Sequence, residues 1–178
     1  IIDGDENHLV FGVKRDVTTE HEGEVSTILH DEISEGDMIN LSAPVGGFSI
    51  ENTERPQLFI GSGVGMTPLV SMFKKAASLN VPTQMIQAVV TEDERPFAQK
   101  LDSITANHEQ AQLHLHVKDK EGYLEAKELE QYLSEQPEIY ICGGTKFLHS
   151  IINSLKELNY DMNHVHFETF IPRLSVQV

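Results

Sequence analysis

Gly61 to Pro68 reads GSGVGMTP and joins a short apolar run, Gln57–Ile60 (QLFI), to Met66–Leu79 (MTPLVSMFKKAASL). In the second run Leu69, Met72, Phe73 and Ala76 recur three and four apart, the spacing of one helix face. Pro68 suits the first turn of that helix, where a missing N–H does no harm. Strand, glycine turn and helix therefore follow one another without a linker. Two readings of the glycines stand. One is a tight turn that needs positive φ at one or two positions. The other is an anion seat. Gly61, Gly63 and Gly65, with Ser62, Val64, Met66 and Thr67 between and after them, let backbone N–H groups approach a phosphate without a Cβ in the way. The helix N-terminus then adds free donors and partial positive charge. A turn alone needs fewer glycines, which favours the seat.

Working outward, the same alternation continues. Thr83–Val90 reads as a strand, Pro96–Ile104 as a helix, Ala111–Val117 as a strand and Ala126–Leu133 as a helix. Glu138–Cys142 is a strand, Lys146–Leu158 a helix, and His164–Phe170 a last strand. Strands alternating with helices imply an α/β fold with a doubly wound, parallel, five-stranded sheet. In such sheets ligands bind outside the carboxyl ends of the strands, at the switch point. Cys142-Gly143-Gly144 follows the strand EIYIC and precedes a helix, the same position later in the sheet. Its glycines suit the approach of a second part of a dinucleotide; a plain strand–helix turn with a buried cysteine is the alternative.

The first 55 residues differ. His8–Arg15 reads as a strand, Thr18–Gly23 as a polar loop, Ser26–Ile33 as a short helix and Met38–Ala43 as another strand. Glu51–Pro56 (ENTERP) is polar and turn-rich and marks the expected boundary between residues 1–55 and 56–178.

The chain has 178 residues, with 13 Lys plus Arg against 28 Asp plus Glu, a formal net charge of −15. That balance argues against nucleic acid and anionic membranes as partners. No apolar run approaches the roughly 18 residues of a membrane span. The segment Ile1–Asn7 has no basic or long apolar stretch, so no secretory signal is read. Cys142 is the single cysteine, which excludes an internal disulfide and suits a reducing, cytoplasmic setting. His114/His116 and His164/His166 each share a strand face, but no sequence-adjacent carboxylate completes a metal site, and none is expected.

Together these segments resemble the ferredoxin-reductase-like flavin and nicotinamide module, most closely the reductase half of flavohemoglobins. Gly23-Glu24-Val25-Ser26-Thr27-Ile28-Leu29-His30 is similar to the flavin-pyrophosphate segment, and Ala43-Pro44-Val45-Gly46-Gly47-Phe48 to an Ala-Pro-x-Gly-x-Phe loop. GSGVGMTP resembles the nicotinamide-phosphate loop, Ile141-Cys142-Gly143-Gly144 the Cys-Gly-Pro turn, and Phe167-Glu168-Thr169-Phe170 the terminal aromatic-Glu-x-Phe strand. The Arg-x-Tyr-Ser motif and the first barrel strands are not in this sequence, Gly144 stands in place of Pro, and Ile171-Pro172 replaces Gly-Pro.

The resemblance implies that residues 1–55 are the second half of an antiparallel β-barrel flavin domain, and that the abrupt start at Ile1 cuts it. It implies FAD and NAD(P)H as cofactors, with Gly23, Val25 and Ser26 at the flavin pyrophosphate. Phe170 would cover the isoalloxazine face and Glu168 would lie near the flavin as catalytic residues. Thr67 would offer its hydroxyl at the nicotinamide loop. Hydride would pass from the nicotinamide to FAD and single electrons onward to an acceptor, the haem of a globin in a longer nitric oxide dioxygenase. A reductase feeding a ferredoxin or oxygenase, and a non-catalytic nucleotide-binding or interaction module, are the alternatives. Thr91-Glu92-Asp93-Glu94-Arg95 places three acids where a 2′-phosphate would need a cation, which favours NADH.

Overall fold

A computed structural model describes residues 3–4, 7–17, 23–43 and 46–169. The expectation for Phe170 lies outside the described residues, as do Pro44, Val45 and most of the Thr18–Gly23 loop. The chain begins with β1 (Asp3–Gly4), β2 (Leu9–Val10) and α1 (Glu24–Asp31). It continues with β3 (Gln57–Ser62), α2 (Met66–Ser78), β4 (Thr83–Val89), α3 (Ala98–Asn107), β5 (Ala111–Val117) and the single turns α4 (Lys118–Glu121) and α5 (Ala126–Leu129). It closes with β6 (Glu138–Gly143), α6 (Thr145–Glu157) and β7 (Val165–Thr169).

The five later strands form one parallel sheet in the order β5-β4-β3-β6-β7. The chain starts at the centre with β3, winds out to β5, and returns to lay β6 on the other side of β3. The switch point therefore falls between β3 and β6. Both are buried on both faces, so Leu58–Ile60 and Ile139–Ile141 are continuous apolar runs rather than alternating ones. Alternate side chains serve two cores. Phe59, Met85, Tyr140 and Cys142 pack with α2 and α3, and Leu58, Ile60, Ile86, Ile139 and Ile141 pack with α5 and α6. Phe59 stacks on Tyr140 with ring centroids 5.3 Å apart and meets Phe73 of α2 edge-on at 6.1 Å.

Several expected boundaries move for visible reasons. The expected helix Ala126–Leu133 stops at Leu129 and tightens into a 3₁₀ turn, Glu130–Tyr132. The helix expected from Pro96 starts at Ala98, because Phe97 has left-handed backbone angles. The strand expected over His8–Arg15 shrinks to Leu9–Val10, paired antiparallel with Asp3–Gly4. Met38–Ala43 alternates like a strand but forms none. A strand needs a neighbour for its N–H and C=O groups, and no described strand lies beside it. Its apolar side chains stay exposed, Met38 at 98%. Helix α1 likewise buries none of its residues.

The early segment is nonetheless tied down. Arg15 forks onto the Asp31 carboxylate, and His30 Nε2 lies 3.1 Å from the Val13 carbonyl, holding α1 against the stretch after β2. Asp3 is gripped by Lys100 of α3 and by Lys74 of α2, the latter at 2.9 Å. The two ammonium groups hold its carboxyl well below the usual range.

At the amino end of the sheet, the buried Glu138 accepts from both histidines of the last strand region. His164 Nδ1 lies 2.8 Å from Oε1 and His166 Nε2 2.9 Å from Oε2. Arg55 stands 3.9 Å from Oε1 and 2.9 Å from His164 Nε2, and its fork also donates to the Gln136 carbonyl. His166 stacks on Tyr140 at 4.8 Å. These contacts join β7 to β6 from below. Among the described residues no group of three or more His, Cys, Asp or Glu side chains is arranged to hold a metal ion. Among them too, no helix is long and apolar enough to cross a membrane.

Candidate functional site

The carboxyl ends of β3, β6 and β7 bring three of the sequence-chosen residues into one row. Gly61 lies in register with Cys142, and Cys142 with Glu168. Above the row, Gly63–Gly65 forms one 3₁₀ turn that runs into α2, while Gly144 starts α6. No side chain caps either helix, so their N-termini are left to backbone donors at the switch-point crevice.

The glycines divide by role. Gly63 has φ +55° and open space where a side chain would be, the property wanted of an anion-facing position. Gly65 is a close-approach glycine. A Cβ there would press on the Cys142 carbonyl and lie 2.5 Å from the Gly143 nitrogen. The two strand-end turns thus touch backbone to backbone. Gly61 and Gly143 make room for Met66 and Phe147 respectively, and so serve packing more than ligand approach. Ser62 ends β3 half-buried at the crevice, and Val64 is half-buried in the turn. Met66 is fully buried in the core. Pro68 occupies the first turn of α2, as read from the sequence. Thr67 is buried and spends its hydroxyl at home, donating to the Val64 carbonyl at 2.9 Å; it stiffens the turn.

Cys142 is completely buried. Burial, with a smaller push from the Glu168 charge, drives its thiol up to about 12. It is a packing residue rather than a nucleophile. Folded protein is expected to leave Cys142 unlabelled by iodoacetamide at pH 8, with full labelling in denaturant, read by intact mass.

Two clefts flank the crevice. The first, about 520 Å³, lies over the ends of β3, β4 and β5, with Ser62, His116, Lys118, Tyr123, Lys146 and Phe147 in its wall. Lys118 Nζ sits 4.5 Å from the Tyr123 ring centroid. His116 Nε2 faces the Gly122 carbonyl at 3.0 Å. The second, about 560 Å³, is a slot between the glycine turn and the early segment, lined by Gly12, Val13, Lys14, Val64, Thr67 and Phe97 among others. Sequence reasoning reached Ser62 of the first wall and Gly63, Val64 and Thr67 of the second; it missed the rest, because they come from segments far apart in the chain.

Gly23, Val25 and Ser26 line neither cleft. Val25 is 70% exposed on α1. The Ser26 hydroxyl donates to the Gly23 carbonyl and accepts from the Asp16 N–H, both at 3.0 Å, so it closes a local loop. Glu168 is exposed at the end of β7. Beyond β4, Glu92 pairs with Lys120 at 2.5 Å, and Arg95 is taken by Asp102 at 3.0 Å.

The sequence profile of the oxidoreductase NAD-binding domain family matches residues 59–152, from β3 into α6. The chain belongs to this family. The chain is also similar to flavohemoproteins. It is 30% identical over 172 residues to the flavohemoprotein of Bacillus cereus (strain ATCC 10987 / NRS 248), and 28% identical over 170 residues to the flavohemoprotein of Pseudomonas aeruginosa. The matches cover 88% and 90% of this chain but only 43% of each relative. Among solved structures, it resembles the flavohem-like FAD/NAD binding domain of nitric oxide dioxygenase from Vibrio cholerae. There the TM-score is 0.77 and the identity 28%, over 85% of this chain and 66% of that one. The fold is shared with ferredoxin-NADP+ reductase from Plasmodium falciparum, TM-score 0.70 at 20% identity, over 86% of this chain and 68% of that one. The resemblance read from the sequence is thus upheld, as are the α/β fold and the oxidoreductase class.

Proposed function

We propose that this chain is the nicotinamide-binding part of an NADH-dependent flavin reductase whose electrons leave for the haem of a globin carried by a longer protein. The observation that carries the reading is the backbone contact between the Gly63–Gly65 turn and Cys142-Gly143. It builds a crevice at the switch point with two helix N-termini that no side chain caps, in a chain whose net charge is −15. A pyrophosphate fits there. The two flanking clefts then take the two ends of a dinucleotide: the adenosine over Lys118 and Tyr123, the nicotinamide in the slot beside Gly12–Lys14.

NAD(P)H supplies a hydride when bound, and FAD its acceptor; the protein's part is to hold and orient them. Glu168, next to Cys142 in register, stands at the mouth of the crevice, where a carboxylate can orient the reacting ring. Phe170 follows it by two residues and is proposed to cover the flavin. The flavin fit is partial. Residues 1–55 expose Met38, Ile39, Leu41 and Val25, and Ser26 has no hydroxyl to spare. We assign this segment to one half of a flavin barrel, the exposed apolar faces being those the other half would cover, and residues 56–178 to the nucleotide domain. NADH is favoured because Arg95 is neutralised by Asp102, leaving Glu92–Glu94 beyond β4. Lys118 favours a second reading, NADPH, since it brings an ammonium into the adenosine cleft. A cytoplasmic location accords with the one free cysteine.

Calorimetric titration with NADH, NADPH and ADP-ribose tests this. NADH is expected to bind, with ADP-ribose competing. Absence of binding by all three overturns the reading. Tighter binding of NADPH, lost in Lys118→Ala, replaces NADH by the second coenzyme.

A further inference from the structure

Phe97 is a bulky residue held at φ 59° and ψ 25°, left-handed angles that a side chain with a large Cβ substituent rarely adopts. It sits directly before α3, and its ring lines the slot beside the glycine turn. Such backbone persists only where the surroundings over-determine it. Here they do. The fully buried Gln87 of β4 donates from Nε2 to the Pro96 carbonyl at 2.8 Å and accepts from Arg95 Nε at 3.3 Å. Arg95 is held in turn by Asp102 of α3. Part of the Phe97 ring packs on the core beneath α2 and α3.

The free tip of the ring meets the early segment. A Cβ on Gly12 would lie 2.9 Å from Phe97 Cζ and 2.6 Å from the Thr67 methyl. The Thr67 methyl and the Phe97 ring therefore both lie against the Gly12 backbone. The ring lines the slot together with Gly12–Lys14 of the early segment and Gly63, Val64 and Thr67 of the glycine turn and helix start.

We propose that Phe97 is a positioning residue: it sets the width of the slot and offers an aromatic wall to the planar nicotinamide amide, leaving the adenosine half of the dinucleotide untouched. This rests on the dinucleotide reading above. Gln87 and Arg95 maintain the strained conformation, so the polar clamp on β4 acts on the slot through Phe97. A purely structural Phe97 would, by contrast, affect stability alone.

The two roles separate by titrating the full chain with NAD+ and with ADP-ribose, which lacks the nicotinamide. Wild type is expected to bind NAD+ more tightly than ADP-ribose. Phe97→Ala should weaken NAD+ about tenfold while ADP-ribose changes by less than about twofold, the size expected for loss of one aromatic wall. Phe97→Tyr should restore NAD+ binding. Phe97→Leu, which keeps most of the volume, covers the case in which Phe97→Ala does not fold, and should also lose the NAD+ preference. Phe97→Gly, which accepts the left-handed angles freely, should melt no lower than Phe97→Ala. Equal weakening of both ligands, or retention of the NAD+ preference in Phe97→Leu, overturns the proposal. So does a wild type that binds ADP-ribose as tightly as NAD+. A wild type that binds neither ligand takes down the dinucleotide reading and this proposal with it.

Discussion

Gly65→Ala is expected to cost about 3 kcal/mol of stability and to remove NADH binding, because an added methyl has nowhere to go. Its Cβ would meet main-chain atoms of Cys142 and Gly143, not the end of a flexible side chain. Relief requires the β3 and β6 turns to separate, and that contact is what shapes the switch-point crevice. Gly63→Ala is the matched control. It faces open space, so its cost is the left-handed backbone alone, about 1 kcal/mol. Urea unfolding and NADH titration of the two variants give the comparison. Equal losses in both would mean that the turn, rather than the contact between turns, is what matters.

The difference between these two glycines was not legible in the sequence. GSGVGMTP announces a strand–turn–helix unit, and the apolar runs QLFI and EIYIC announce buried parallel strands, because each signal is local. Which glycine meets another backbone depends on β6 lying beside β3, and β6 enters the chain some 75 residues later. The same holds for the slot. Arg95-Pro96-Phe97 carries no residue that favours left-handed angles, and the conformation is imposed by Gln87 from a neighbouring strand. Met38–Ala43 errs in the other direction. Its alternation is a real preference for a half-buried strand, but no described strand pairs with it, and preference alone does not satisfy a backbone. Ser26 stands where the resemblance puts a phosphate contact, and its hydroxyl is bound to Gly23 and Asp16.

Glu138→Ala should be the most damaging change away from the nucleotide crevice. The carboxylate is buried and serves His164, His166 and, at longer range, Arg55. Removing it leaves three nitrogen-rich groups facing a cavity, a loss of about 3 kcal/mol. Glu138→Gln keeps one acceptor and should lose about 1 kcal/mol. The sign with pH follows from the carboxyl itself. Burial raises its pKa, but the hydrogen bonds from His166 and His164 outweigh this and leave it below the ordinary value. A carboxyl whose folded value is lowered stabilises fully above its unfolded value, near pH 4.3, and loses that contribution as pH falls through the folded one. The carboxylate's share of the gap between wild type and Glu138→Gln should therefore close on acidification below about pH 4. Arg55, Glu51 and Asp161 are unchanged in both proteins. Because the anchor lies at the foot of β7, fraying should run up that strand towards Glu168. Amide exchange across Val165–Thr169 is expected to quicken in Glu138→Ala while the Phe59 and Ile60 amides of central β3 stay protected. Uniform exchange across all five strands would show instead that the histidine–carboxylate cluster holds the whole sheet rather than its edge.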